Sequence, residues 1–106
     1  MKPDLNLLFK AIADPTRREI FHALVVASVA MSINTISEKF DITRQGVTKH
    51  IKTLEEAGLI KIESKGRERF CSADASPLKE MDSWLRGYEQ FWDSALDRLS
   101  DHLDSA

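Results

Sequence analysis

One stretch constrains this chain more than any other: Ile33 to Leu59, INTISEKFDITRQGVTKHIKTLEEAGL. Ile33, Ile36 and Phe40 recur at i, i+3 and i+7, the spacing of one face of a short helix. Asp41-Ile42-Thr43 breaks that rhythm, and the Thr43 hydroxyl can cap the next helix. Val47, Ile51 and Leu54 then turn inward at i, i+4 and i+7 along a second helix, Arg44 to Ala57. Gly58 is placed to stop it in the left-handed conformation. Solvent is left with Arg44, Gln45, Thr48, Lys49, Lys52 and Thr53, side chains that bond phosphates and base edges, none of them acidic. A short helix, a three-residue corner and a longer helix with such a face predict a helix-turn-helix over 33–58 that presents a reading helix. Basic faces are also ordinary on solvated surface helices, so the motif needs support from its surroundings. Gly46 costs about 1 kcal/mol of helix propensity relative to Ala, which a close approach to the neighbouring helix would explain.

The next segment supplies that support. Leu59 to Glu63 has strand character, Ser64-Lys65-Gly66-Arg67 supplies a turn, and Glu68 to Ser72 can return as a second strand. A hairpin over 59–73 directly after a helix-turn-helix is the wing of a winged helix. Lys65, Arg67 and Arg69 surround its glycine, which suits contact with a phosphate backbone or a minor groove. Ser76-Pro77 then opens a long last helix by the cap-plus-proline pattern. Leu78, Met81, Leu85, Tyr88, Trp92, Ala95 and Leu99 alternate by three and four along it, a heptad-like seam widened by Trp84, Phe91, Leu96 and Leu103. Residues 77–103 as one helix would run about 40 Å at 1.5 Å per residue. That is more apolar surface than so small a domain can cover. A symmetric dimer joined by the last helix and the first is the expectation, with Gly87 permitting close contact or a slight bend. The aromatics Trp84, Tyr88, Phe91 and Trp92 read as interface and core anchors, with a ligand pocket as the lesser reading.

Upstream, Leu5, Leu8, Phe9 and Ile12 make a short amphipathic first helix. Asp14-Pro15 starts the second, with Asp as N-cap and Pro at the first helical position. Its apolar residues, Ile20 to Ala27, predict a central and largely buried element running to about Val29. Arg17 and Arg18 lie in its first turn, where the helix dipole disfavours cations. They need another partner, a carboxylate or a phosphate, and an intramolecular carboxylate is the reading. Ser32 caps the helix that begins at Ile33.

The formal net charge of −2 argues against nucleic acid only until it is resolved along the chain. Residues 1–38 are neutral overall, residues 39–73 carry eight basic and five acidic side chains, and residues 74–106 carry three basic and eight acidic. Salt screens charges beyond about 10 Å at 0.1 M, so a phosphate feels the basic middle rather than the sum. The gradient suggests one end facing DNA and the acidic end facing away, the plainer alternative being an acidic tail that only keeps the protein soluble. One cysteine excludes an internal disulfide framework. The N-terminal residues lack the apolar core of a signal peptide, and the longest apolar run is too short to span a bilayer. A cytoplasmic protein of one domain is expected.

Catalysis finds no constellation. His22, His50 and His102 are scattered, and no paired cysteine or nucleophile elbow accompanies them. His22 reads as lying in or beside the core, His50 as a phosphate contact or packing residue, and His102 as part of a fraying helix end. Cys71 reads as a small packed apolar residue. No enzyme activity, metal or cofactor is expected.

The segments LFKAIADPTRREIFHAL, TRQGVTKHIKTLEEAGLI, KGRERF and PLKEMDSWLRGYEQFWDSAL together resemble the ArsR-type winged-helix transcriptional repressors, from about Leu5 to about Leu99. The resemblance implies a mainly α fold with a small β-hairpin, and a dimer through the first and last helices. That interface would take Leu5, Leu8, Phe9, Leu78, Met81, Leu85, Tyr88, Trp92 and Leu99. It also implies binding to an imperfect palindrome near the chain's own promoter. Motif matching puts Thr43, Arg44, Gln45, Thr48, Lys49 and His50 on the reading helix's contact positions, with Lys52 beside them. Lys65, Arg67 and Arg69 fall on the wing. The family's metal-binding Cys-x-Cys positions hold Ser32 and Asn34 here, and the last helix offers only His102 toward a second site. Metal sensing therefore does not carry over, and a metal-independent autorepressor is implied. Two other readings stay open: a sensor gated by a small molecule among the aromatics of the last helix, and a protein-interaction module that has lost DNA binding.

Overall fold

The computed structural model describes residues 3–104. Its elements run α1 (Leu5–Ala13), α2 (Pro15–Ala27), β1 (Met31–Ser32), α3 (Ile33–Phe40), α4 (Arg44–Glu56), β2 (Ile60–Lys65), β3 (Glu68–Ala73), α5 (Leu78–Arg86) and α6 (Glu89–Asp104). The strands form one antiparallel sheet in the order β1-β3-β2. A helical body with this small sheet after a helix-turn-helix is a winged helix.

Local chemistry sets the boundaries. Asp14 caps α2 by accepting from Arg17 N at 2.9 Å, Ser32 caps α3 from Thr35 N at 3.1 Å, and Thr43 caps α4 from Gly46 N at 3.1 Å. Each satisfies a donor that the first helical turn leaves open. At the far end of α4, Gly58 takes φ +80°, its N–H donates to Glu55 O, and Leu59 N–H donates to Leu54 O. This pair of bonds is the Schellman ending, completed by burial of Leu54 and Leu59 together. Gly46 sits so close to the corner that a Cβ there would fall 2.8 Å from Ile42 Cγ2. Closeness of the corner residues Ile42 and Thr43 to the first turn of α4, rather than of a neighbouring helix, thus explains the glycine.

The core lies between α1, α2, α4 and the sheet, with Leu8, Ile20, Leu24, Ile51, Leu54 and Cys71 fully or almost fully buried. Burial pushes the Cys71 thiol up to about 11, with Glu55 adding to the shift and Arg69 opposing it. A thiol reagent near neutral pH should therefore leave the native protein unlabelled and modify Cys71 fully in denaturant. Rapid labelling of the native state would contradict this packing.

Several expectations are corrected. Helix α2 ends at Ala27, because Ser28 turns into the left-handed region at φ 58°. Its apolar surface is only half used: Ile20 and Leu24 are buried, whereas Val25 and Val26 are 40% and 68% exposed. His22 is exposed, outside the core. β1 adds a third strand through the pairs Met31↔Cys71 and Ser32↔Phe70. The wing's turn is two residues, Gly66-Arg67, with Gly66 at φ +63° and Lys65 paired to Glu68.

The last helix is two helices. At the junction, Tyr88 N–H donates to Leu85 O, three residues back, before the regular pattern resumes with Trp92 N–H to Tyr88 O. Gly87 keeps a right-handed backbone there, so the interruption is one tightened turn rather than a reversal. Ser76 provides no side-chain cap; Asp74 accepts from Ser76 N instead. The helix continues through His102 to Asp104.

Candidate nucleic-acid interface

The outer face of α4 and the wing enclose an open groove of about 780 Å³. Seven of the ten sequence-predicted DNA contacts line it: Thr43, Arg44, Gln45, Thr48 and Lys49 from α4, and Arg67 and Arg69 from the wing. Val47, Ile51 and Leu54 face the core from the same helix, so burial of one stripe fixes the other toward the groove. Four cations against one carboxylate, Glu68, make the groove attractive to a polyanion. Thr43 Oγ1 accepts from the helix N-terminus and Thr48 Oγ1 donates to Arg44 O at 2.8 Å, which holds both side chains in place on the helix.

The other three predicted contacts lie elsewhere. Lys52 and Lys65 are exposed but outside the groove lining. His50 is 22% exposed and turns back toward α1 and α2, its Nδ1 3.4 Å from Arg17 Nη1 and 4.0 Å from Asp14 Oδ2. Asp14's carboxyl is held below the usual carboxylate range, chiefly by the Arg17 N–H and further by the Arg17 charge. The groove also gathers Ser32, Ile33 and Asn34, which sequence reading did not place there. Pairing of Ser32 with Phe70 brings the start of α3 beside the wing, and no local pattern announces that pairing.

Arg17 and Arg18 do not find a side-chain carboxylate as their principal partner. Arg17 donates from Nε to Ala11 O at 2.6 Å and from Nη2 to Lys10 O at 2.8 Å. Arg18 Nη1 donates to Ile12 O at 2.5 Å and to Ala13 O at 3.3 Å. The two cations thus serve the last four carbonyls of α1, the negative end of its dipole. An N-terminal turn of one helix caps the C-terminus of the previous one.

Of the expected interface residues, Leu8 and Met81 are taken into the protomer's own core, at 0% and 8% exposure. Leu5, Phe9 and Leu78 are half-buried, and Leu85, Tyr88, Trp92 and Leu99 are exposed. Phe9 meets Trp84 edge-on at 5.2 Å between ring centroids, and Trp84 meets Tyr88 at 5.1 Å, which ties α1 to the α5–α6 junction.

Known proteins agree with this architecture. Residues 12–63 match a helix-turn-helix domain family. The transcriptional repressor SdpR of Bacillus subtilis (strain 168) is 31% identical over 84 residues, covering 79% of this chain and 91% of its own. The crystal structure of an ArsR family transcriptional regulator, RHA00566, superposes with a TM-score of 0.73 at 31% identity, over 84% of this chain and 96% of that one. This chain belongs to the ArsR family. It is a DNA-binding transcriptional regulator, a class of binding protein rather than of enzymes. The fold is shared more widely: a Mycobacterium bovis domain described as a homodimeric winged helix-turn-helix aligns at TM-score 0.63 with 16% identity, over 80% of each chain. Among the described residues, no helix is long and apolar enough to cross a membrane.

Proposed function

We propose that this ArsR-family chain is a homodimeric, autoregulatory repressor of an imperfect palindromic operator, acting without a metal and in the cytoplasm. The observation that carries the reading is the groove, where one helix face and one wing bring cations, amide and hydroxyls together at the place a duplex would enter. SdpR's name supports repression, and the homodimeric description of the Mycobacterium bovis domain supports two copies. At the family's first cysteine position, Ser32 uses its hydroxyl to cap α3, which favours the metal-independent branch. Trp84 packs against Phe9 and Tyr88, which favours a structural role for the aromatics over an effector pocket.

Arg44 and Gln45, at the start of α4, are assigned to base contact, Arg on guanine and Gln on adenine. Thr43, Thr48, Lys49 and Lys52 are assigned to phosphates, and Lys65, Arg67 and Arg69 to the flanking backbone. The test is fluorescence anisotropy with a labelled fragment from upstream of the gene, at two salt concentrations, beside a scrambled control. Preference for the fragment by a factor of about 10³ or more is expected. Arg44→Ala should cost about 1–3 kcal/mol and relax base preference, whereas Lys49→Ala should weaken every sequence alike and lower the salt slope. No binding even at low salt would refute the proposal and favour the protein-interaction reading.

A further inference from the structure

Arg17 stands where three elements meet. Its own N–H donates to Asp14, so the first turn of α2 sets where the side chain starts. The guanidinium then engages two carbonyls that α1's own hydrogen-bond ladder leaves open, those of Lys10 and Ala11. The fork is planar and rigid, so two bonds to α1 dictate the direction of the third nitrogen. That nitrogen, Nη1, reaches His50 Nδ1 at 3.4 Å on the side of α4 packed against α1 and α2. A guanidinium can only donate, hence Nδ1 is the acceptor in this contact. Arg18 serves the remaining carbonyls of α1, so that helix keeps part of its cap without the Arg17–His50 contact.

We propose that Arg17 is a positioning residue for DNA reading: through His50 it holds α4 at a fixed orientation to α1. The proposal rests on the operator-binding function above and deepens it. In the proposed dimer, α1 belongs to the frame that joins the protomers, and α4 reads one half-site. A rigid bridge between them matches the spacing of the two reading helices to the spacing of the half-sites. His50, which family resemblance puts among the DNA contacts, then acts from the inner side of the helix. Its 22% exposure and its place outside the groove both fit that role.

The experiment compares His50→Leu, His50→Asn and Arg17→Lys in the full chain. Each is measured by anisotropy on the upstream fragment and on versions with one base pair added or removed between half-sites. Light-scattering mass and thermal unfolding accompany each. Asn places its carboxamide oxygen near the position of Nδ1 but has nothing at Nε2. His50→Asn should therefore keep near-normal affinity and spacing preference. His50→Leu should lose roughly tenfold and tolerate altered spacing. Arg17→Lys, which cannot bridge three acceptors, should match His50→Leu on DNA, and the double variant should be no worse.

If Asn is as damaging as Leu, Nε2 contacts DNA and the inference is overturned. Equal affinity for all variants, or losses that multiply in the double variant, would overturn it as well. Should His50→Leu fail to fold, Arg17→Lys decides alone, since unaltered affinity and spacing preference there would end the idea. Failure of the unaltered protein to prefer its operator is a different result: it removes the function on which the inference rests, and the inference with it.

Discussion

Replacing Leu96 and Leu99 with glutamate should leave the winged-helix body folded, turn the protein into a monomer, and lower operator affinity by roughly two orders of magnitude or more. The body tolerates the change because neither residue belongs to it: they are 61% and 54% exposed, and α6 buries no residue in the protomer. The radius of gyration is 18.8 Å, against about 13 Å for a compact domain of this length, and the long axis reaches 69 Å. Helix α6 carries Trp92, Leu96, Leu99 and Leu103 along one exposed stripe, with Asp93, Asp97 and Asp101 on the side and far face of the helix. Contiguous apolar surface of this kind is uncommon on a monomer and calls for a partner.

Glutamate on the stripe places charge where two such helices would bury it. Once the protomers separate, each half-site must be bound independently, and the effective concentration supplied by the first contact is lost. Light scattering would report the mass, and anisotropy at matched salt would report the affinity. Leu96→Ser with Leu99→Ser controls for added charge. A double-glutamate variant that remains dimeric would place the interface elsewhere. A monomer with full affinity would mean that one half-site suffices.

How much the sequence disclosed depends on the range of the interactions involved. Asp14-Pro15, Ser32, Thr43 and Gly58 act within a few residues of themselves, and the helices around them begin and end about where those residues predict. The inward stripe of Val47, Ile51 and Leu54 determines which face of α4 looks outward, so five predicted contacts share one groove, which Arg67 and Arg69 join from the wing. β1 is two residues long and exists through its pairing with β3, so it has no periodicity to read. Asn34 reaches the groove for the same long-range reason. The partners of Arg17 and Arg18 escape sequence reading because backbone carbonyls are everywhere in a chain, and only the meeting of α1 with α2 selects four of them. The heptad-like spacing across 77–103 continues through Gly87, so the tightened turn at Tyr88 leaves no mark on the pattern.

Ile51→Ala and Arg44→Ala change the two faces of α4 and should fail in opposite ways. Ile51 is 1% exposed, within the core against which α1 and α2 pack. Truncating such a residue removes buried apolar area and leaves a cavity, at a cost of about 2–5 kcal/mol. Against a typical total of about 5–15 kcal/mol, that threatens the fold itself. A domain of this size loses roughly 4–8 °C of Tm per kcal/mol, so a fall of about 10 °C or more is expected. The groove residues are untouched, however, and operator DNA binds the native state. At a free operator concentration of about 100 Kd it should return about 2.7 kcal/mol to whatever folded protein it binds. Ile51→Ala should accordingly melt early alone and recover much of its Tm when operator is added. Arg44 is exposed, so Arg44→Ala should melt like the unaltered protein and gain less from the same operator concentration. Thermal scans of both variants at one protein concentration, with and without operator, separate the two roles. An Arg44→Ala protein that melts early, or an Ile51→Ala protein that operator cannot rescue, would mean that the reading face and the packing face of α4 are not independent.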